Sequence, residues 1–141
     1  MATLAADKIR KFALGDFEDY PVVANDIIYG GAAVGIEAVG GNARPLVAGD
    51  AFVGFADSPA DNTGGAAAAI RVRTRKRGAI PLPVTGVVAT TLPGAAVYAS
   101  DDDTFTLTAS TNSFIGRVSR VVSAGNAIVE YGPLAQDDPA P

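Results

Sequence analysis

The sequence predicts an all-β protein, an antiparallel β-sandwich or jelly roll, with a small β-barrel as the alternative. Three observations lead there. Apolar and polar residues alternate with period two in short runs such as Ile70-Arg71-Val72-Arg73 and Thr104-Phe105-Thr106-Leu107-Thr108. β-branched and aromatic residues fill these runs, while Gly, Asn, Asp and Ser separate them. The apolar share of 48% is mostly alanine and valine, with one Met and no Trp, and such small side chains suit closely approaching sheets better than a deep pocket.

Residues 1–20 differ from the rest. Charges alternate there with Leu4, Ile9, Phe12, Leu14 and Phe17 at a loose helical spacing, and Gly15 is the natural stop. Two readings follow: a short helix packed on the domain, or an arm that covers a neighbouring subunit. The β-domain is expected over 21–131. Short runs at Val22-Val23-Ala24 and Asp26-Ile27-Ile28-Tyr29 precede an alternating strand from Val34 to Val39, with glycine pairs as hairpin turns. Those pairs lack the strand–GxGxxG–helix context of a phosphate loop. Gly54, inside Ala51-Phe52-Val53-Gly54-Phe55-Ala56, marks a bulge or a close backbone approach.

This segment is echoed by Phe114-Ile115-Gly116-Arg117-Val118, and each copy is followed by an alternating strand, Ile70–Arg73 or Ala127–Glu130. Two similar β-halves are one reading and chance is the other. Asp57–Gly65 is a surface loop, and Ala66–Ala69 is read as extended between Gly-Gly and Ile70. Ile80-Pro81-Leu82-Pro83-Val84 suits only an edge or a connection, because each proline removes a ladder donor. Val87–Thr91 is expected as a further strand, followed by strands at Ala95–Tyr98, Thr104–Thr108, Phe114–Val118 and Ala127–Tyr131. The tail, 132–141, is acidic and proline-rich and is expected to be mobile.

The chain has no His and no Cys. That removes the commonest general base, thiolate metal ligands and disulfides. Serines are present, but no Gly-x-Ser-x-Gly elbow surrounds any of them. No enzymatic activity and no cofactor are expected. Asp101-Asp102-Asp103 invites a cation, yet its spacing is not that of an EF-hand, and an exposed turn accommodates it equally.

The strongest local charge feature is Arg71, Arg73, Arg75, Lys76 and Arg77, five of the chain's eleven basic residues within seven positions. Alternation places the three odd-numbered arginines on one strand face. Three readings stay open: phosphate contact in an oligonucleotide-binding barrel, contact with an acidic protein surface, or a solvated edge strand guarded by charge. Stacking aromatics are missing between Ile70 and Val97, and the net charge is -4, so nucleic acid is the least favoured partner. The N-terminus shows no long apolar h-region, and no run of about 18 apolar residues exists, so neither a signal peptide nor a membrane span is expected.

In layout, residues 21–131 resemble the small capsid decoration, or cement, proteins of tailed bacteriophages. The resemblance rests on four segments. They are the Ala48-Gly49-Asp50 turn leading to Phe52–Ala56, Pro93-Gly94-Ala95-Ala96-Val97-Tyr98, Phe114–Val118 and the closing strand Ala127–Tyr131. It implies a β-sandwich, jelly roll or barrel that sits on the outside of an icosahedral head and locks neighbouring major capsid subunits, acting as a homodimer or homotrimer. Its expected location is the virion surface after synthesis in the host cytoplasm. Leu4, Ile9, Phe12, Leu14, Phe17 and the five basic residues are the expected interface. A tail, fibre or head-completion component and a nucleic-acid-binding barrel are the alternatives.

Overall fold

Alternation becomes strand pairing wherever glycine or proline turns let the chain reverse. The computed structural model describes residues 5–7 and 15–132, and among these there are strands and turns but no helix. The strands are β1 (Phe17–Pro21), β2 (Ile27–Ile28), β3 (Ala33–Ile36), β4 (Ala43–Pro45), β5 (Ala51–Ala56) and β6 (Ala60–Asp61). The series continues with β7 (Arg71–Arg75), β8 (Gly78–Pro83), β9 (Ala96–Asp101), β10 (Thr104–Thr106), β11 (Ser113–Ser123) and β12 (Asn126–Tyr131). They form a five-stranded sheet in the order β1-β7-β5-β3-β4, a second in the order β10-β9-β11-β12-β8, and a two-stranded ribbon, β2-β6. Every named pairing is antiparallel. The protein is therefore all-β, as its sequence predicts, and its layers match a β-sandwich. Each sheet draws its strands from one contiguous half of the chain, whereas a jelly roll interleaves them.

Two cores result. Val34, Val53, Ala56 and Val72 face one side of the first sheet, where Ile28 and Ala60 of the ribbon cover them. The opposite side of that sheet carries Ala33, Phe52 and Phe55, which join Val97, Ile115, Val118 and Val129 of the second sheet in the larger core. Phe55 lies at the junction. Its ring centroid is 4.9 Å from that of Tyr131, 5.3 Å from Phe52 and 6.1 Å from Phe105.

Proline placement follows the ladder rules. β8, with Pro81 and Pro83, is an edge strand of the second sheet, so their missing N–H groups interrupt no inner ladder. Pro21 and Pro45 likewise sit in the two edge strands of the first sheet. Prolines there blunt strand addition by another chain.

Four local readings change. Phe17–Tyr20, placed with the N-terminal segment by its spacing, forms β1 and pairs residue by residue with β7. Gly15, at φ +49°, breaks the chain just before it. β7 itself lies between β1 and β5, so the edge-strand reading of the arginine run does not hold. Ala66–Ala69 is a turn with Ala68 at φ +66°, because Asn62 Nδ2 donates to the carbonyls of Val23 and Ala66 and ties the loop down. Val87–Thr91 is not a strand. Val88 N donates to Thr91 Oγ1 and Thr91 N to the Val88 carbonyl, a local closure that competes with a ladder.

Candidate interaction surface

β7 alternates cleanly. Val72 and Thr74 are buried towards the first core, Thr74 Oγ1 donating to the Glu18 carbonyl at 3.0 Å, and Arg71, Arg73 and Arg75 project from the other face. In the antiparallel register Phe17 lies opposite Arg75, Asp19 opposite Arg73 and Pro21 opposite Arg71. Residues opposite one another share a face. The Phe17 ring consequently sits under two guanidinium groups, 4.2 Å from Arg73 Cζ and 4.7 Å from Arg75 Cζ. Each such cation–π contact contributes about 0.5–1 kcal/mol at an exposed site. Its larger effect is to hold two long side chains in place before a partner arrives.

Carboxylates frame this row without neutralising it. Arg75 pairs with Asp57 at 3.5 Å, Lys76 approaches Glu18 at 4.0 Å, and Arg71 Nη2 donates to the Asp19 carbonyl at 3.1 Å. Among the described residues Arg73 and Arg77 have no carboxylate partner. Both pairs reach solvent, so they give modest stability and leave cationic donors of the row usable. Tyr131 lies beside the row. Burial pushes its phenol above the ordinary value, Arg75 pulls it down and Asp57 pushes it up.

The Arg75–Arg77 end of this row also lies against Gly15 and Asp16. Lys76 N donates to the Asp16 carbonyl at 2.9 Å, and a Cβ on Gly15 would lie 3.2 Å from Arg77 Nη2. The chain therefore enters β1 at the Arg75–Arg77 end of the basic strand. Leu4, Ile9, Phe12 and Leu14 lie outside the described residues. Phe17 is brought against the arginines as a strand residue, 37% exposed, rather than as part of a helix. Sequence reading looked for an aromatic only between Ile70 and Val97. Phe17-Glu18-Asp19-Tyr20 reads apolar-polar-polar-apolar, so no period-two signal marked it as a strand.

The other candidates are quieter. Asp102-Asp103 is the turn between β9 and β10, and among the described residues no group of three His, Cys, Asp or Glu is placed to hold a metal ion. Burial, then Asp101, Asp103 and Asp26, raise the Asp102 carboxyl above its ordinary value. A raised acid favours the folded state most when protonated, below the unfolded value of 3.8, and that contribution is lost as pH rises through the folded value. Asp102→Asn should therefore raise the melting temperature at pH 7 by a few degrees, with the gain shrinking below about pH 4. Thermal unfolding at both pH values checks this. Ser113, the buried serine, donates to the Asp50 carbonyl and accepts from Gly49 N, so its hydroxyl is committed to tying the start of β11 to the turn before β5.

Among the described residues no helix is long and apolar enough to cross a membrane. Comparisons with protein-family models, curated proteins and solved structures return no match.

Proposed function

We propose that this is a non-enzymatic structural protein that binds the outside of a phage icosahedral capsid and cements neighbouring major capsid subunits. The carrying observation is the convergence of two features that are far apart in sequence. Gly15 and Asp16, which follow the apolar residues of the N-terminal sequence, lie at the same end of β1 and β7 where Arg73, Arg75 and Arg77 are presented. An arm and a pre-ordered arginine row side by side suit a subunit that grips a seam. The arm covers apolar surface across the junction, and the guanidinium groups meet capsid carboxylates. Prolines on three of the four edges of the two five-stranded sheets favour contacts through faces and the arm over strand addition. Individual contacts of this kind are modest, and repetition by capsid symmetry multiplies them.

Mixing purified protein with undecorated heads tests the arm. Deleting Met1–Leu14 is expected to leave a folded domain that no longer co-sediments with heads. The cut stops before Gly15 because removing Phe17–Asp19 would also strip most of an edge strand. Undiminished co-sedimentation of the truncated protein would remove the arm from the account.

One observation favours a second reading. Phe17 beside two arginines is the aromatic that an oligonucleotide-binding face requires. Single-stranded DNA binding with a steep salt dependence would support it; the two arginines already covering the ring and the net charge of -4 weigh against it.

A further inference from the structure

The two five-stranded sheets have the same wiring. Leaving out the ribbon, the first uses β1, β3, β4, β5 and β7 in chain order, and the second uses β8, β9, β10, β11 and β12. Read from matching edges, their orders are β1-β7-β5-β3-β4 and β8-β12-β11-β9-β10, so each strand occupies the same place as its counterpart.

The register agrees residue by residue. In the first sheet Ala33 pairs with Phe55 and Val34 with Gly54; the ladder then skips Val53, and Gly35 pairs with Phe52. In the second, Ala96 pairs with Arg117 and Val97 with Gly116; the ladder skips Ile115, and Tyr98 pairs with Phe114. The bulge falls at the same point in both. Outside the strands the bonds repeat as well. Gly31 N donates to the Ala56 carbonyl at 2.8 Å and Gly94 N to the Val118 carbonyl at 2.7 Å. Val22 N donates to the Ile70 carbonyl and Val84 N to that of Gly125. The residues at matching places are related too: Pro21-Val22 with Pro83-Val84, Ala32-Ala33-Val34 with Ala95-Ala96-Val97, and Phe52-Val53-Gly54 with Phe114-Ile115-Gly116.

The cores follow the same mapping. Val34, Val53, Ala56 and Val72 belong to one cluster, and their counterparts Val97, Ile115, Val118 and Ala127 all belong to the other. The units are stacked back to front, since Ala33, Phe52 and Phe55 on the back of the first complete the core of the second. The ribbon covers the first unit's own front, as a terminal repeat requires.

This repetition supplies an internal control for the arginine row. Arg71, Arg73 and Arg75, opposite Pro21, Asp19 and Phe17, correspond to Asn126, Ile128 and Glu130, opposite Pro83, Pro81 and Ala79. The same two-strand ladder therefore forms in this chain with no arginine and no aromatic at any of the six places. We infer that the chain is a tandem duplication of one five-stranded unit, and that the Phe17–arginine row is a specialisation of the first unit for binding an acidic protein surface. The row is not something the scaffold needs in order to fold. This deepens the reading above but does not depend on which acidic partner is bound.

Immobilised poly-glutamate is the probe, because a protein of net charge -4 is retained only through a local patch. In the full chain, Phe17→Ala, Arg71→Asn and Arg73→Ile install the second unit's residues, and Arg75→Gln avoids a second carboxylate beside Asp57. This variant is expected to unfold cooperatively within about 5 °C of the wild type and to lose retention at low salt. A second variant, Ala79→Phe with Asn126→Arg, Ile128→Arg and Glu130→Arg, rebuilds the row on the other unit and is expected to fold and elute at higher salt than the wild type. Four results would overturn the inference. An unfolded first variant makes the row structural, and unchanged retention moves the binding surface elsewhere. An unfolded second variant breaks the equivalence, and a wild type that is not retained removes the acidic partner. None of these involves capsids, so they stand apart from any failure to bind heads.

Discussion

Replacing Gly116 with alanine is expected to destabilise the fold severely. β11 is the central strand of the second sheet, between β9 and β12, and it carries the ladder bulge at this point. A Cβ on Gly116 would fall against the Glu130 carbonyl oxygen and 2.9 Å from Tyr131 Cα. Both are backbone atoms of the neighbouring strand, so no side-chain rotation relieves the contact. The ladder between β11 and β12 must open instead, and with it the cover over Val129 and Tyr131. A loss of about 3 kcal/mol or more is expected, at the upper end for a single substitution. Gly54→Ala should cost at least as much. Its Cβ would lie 2.5 Å from the Arg75 carbonyl oxygen, and its φ of +137° is strained for any L side chain. Gly30→Ala is the control, since its nearest neighbour, Pro59 Cδ at 3.6 Å, is an ordinary contact. Urea unfolding of the three variants should show two severe losses and one change within about 0.5–1 kcal/mol.

Phe55→Ala is expected to cost about 3–5 kcal/mol, because it removes a large buried ring without letting the site collapse. Phe55 is 4% exposed and meets Phe52, Phe105 and Tyr131 at centroid distances between 4.9 and 6.1 Å. Three of the contributing strands, β5, β10 and β12, come from different places in the two sheets, so their backbones cannot close the gap together. The edge-on packing against Tyr131 adds to the loss beyond buried area. Because a first-sheet ring completes the second-sheet core, the transition should shift as one step. Two separated steps in urea, one per sheet, would contradict a shared core.

Much of this architecture was legible because the strands are short and plainly punctuated. Period two in Ile70–Arg73 placed Arg71 and Arg73 on one face, and Pro81 and Pro83 restricted their own segment, Ile80–Val84, to an edge or a connection. The echo of Phe52-Val53-Gly54 in Phe114-Ile115-Gly116 pointed to the glycines that now sit at matching bulges. What stayed hidden was pairing. Nothing local in Phe17–Tyr20 says that its partner is β7, more than fifty residues later in the chain, so neither the Phe17 clamp nor the inner position of β7 could be read. Val87–Thr91 misled for a different reason. Its β-branched residues have strand propensity, but the Thr91 hydroxyl closes a turn on Val88 N and the segment joins neither sheet. Half of the ribbon was legible in the short run Asp26–Tyr29, but its partner Ala60-Asp61 lay inside the expected surface loop Asp57–Gly65, because two residues are too few for any period to show.

The measurement that tests the central proposal most directly is the copy number of this chain in density-purified particles from its source, by quantitative mass spectrometry against the major shell subunit. A cement protein repeated over the capsid should be present in numbers comparable to that subunit. A few copies per particle would place it in the tail or at the portal, and its absence from particles would contradict the capsid role outright.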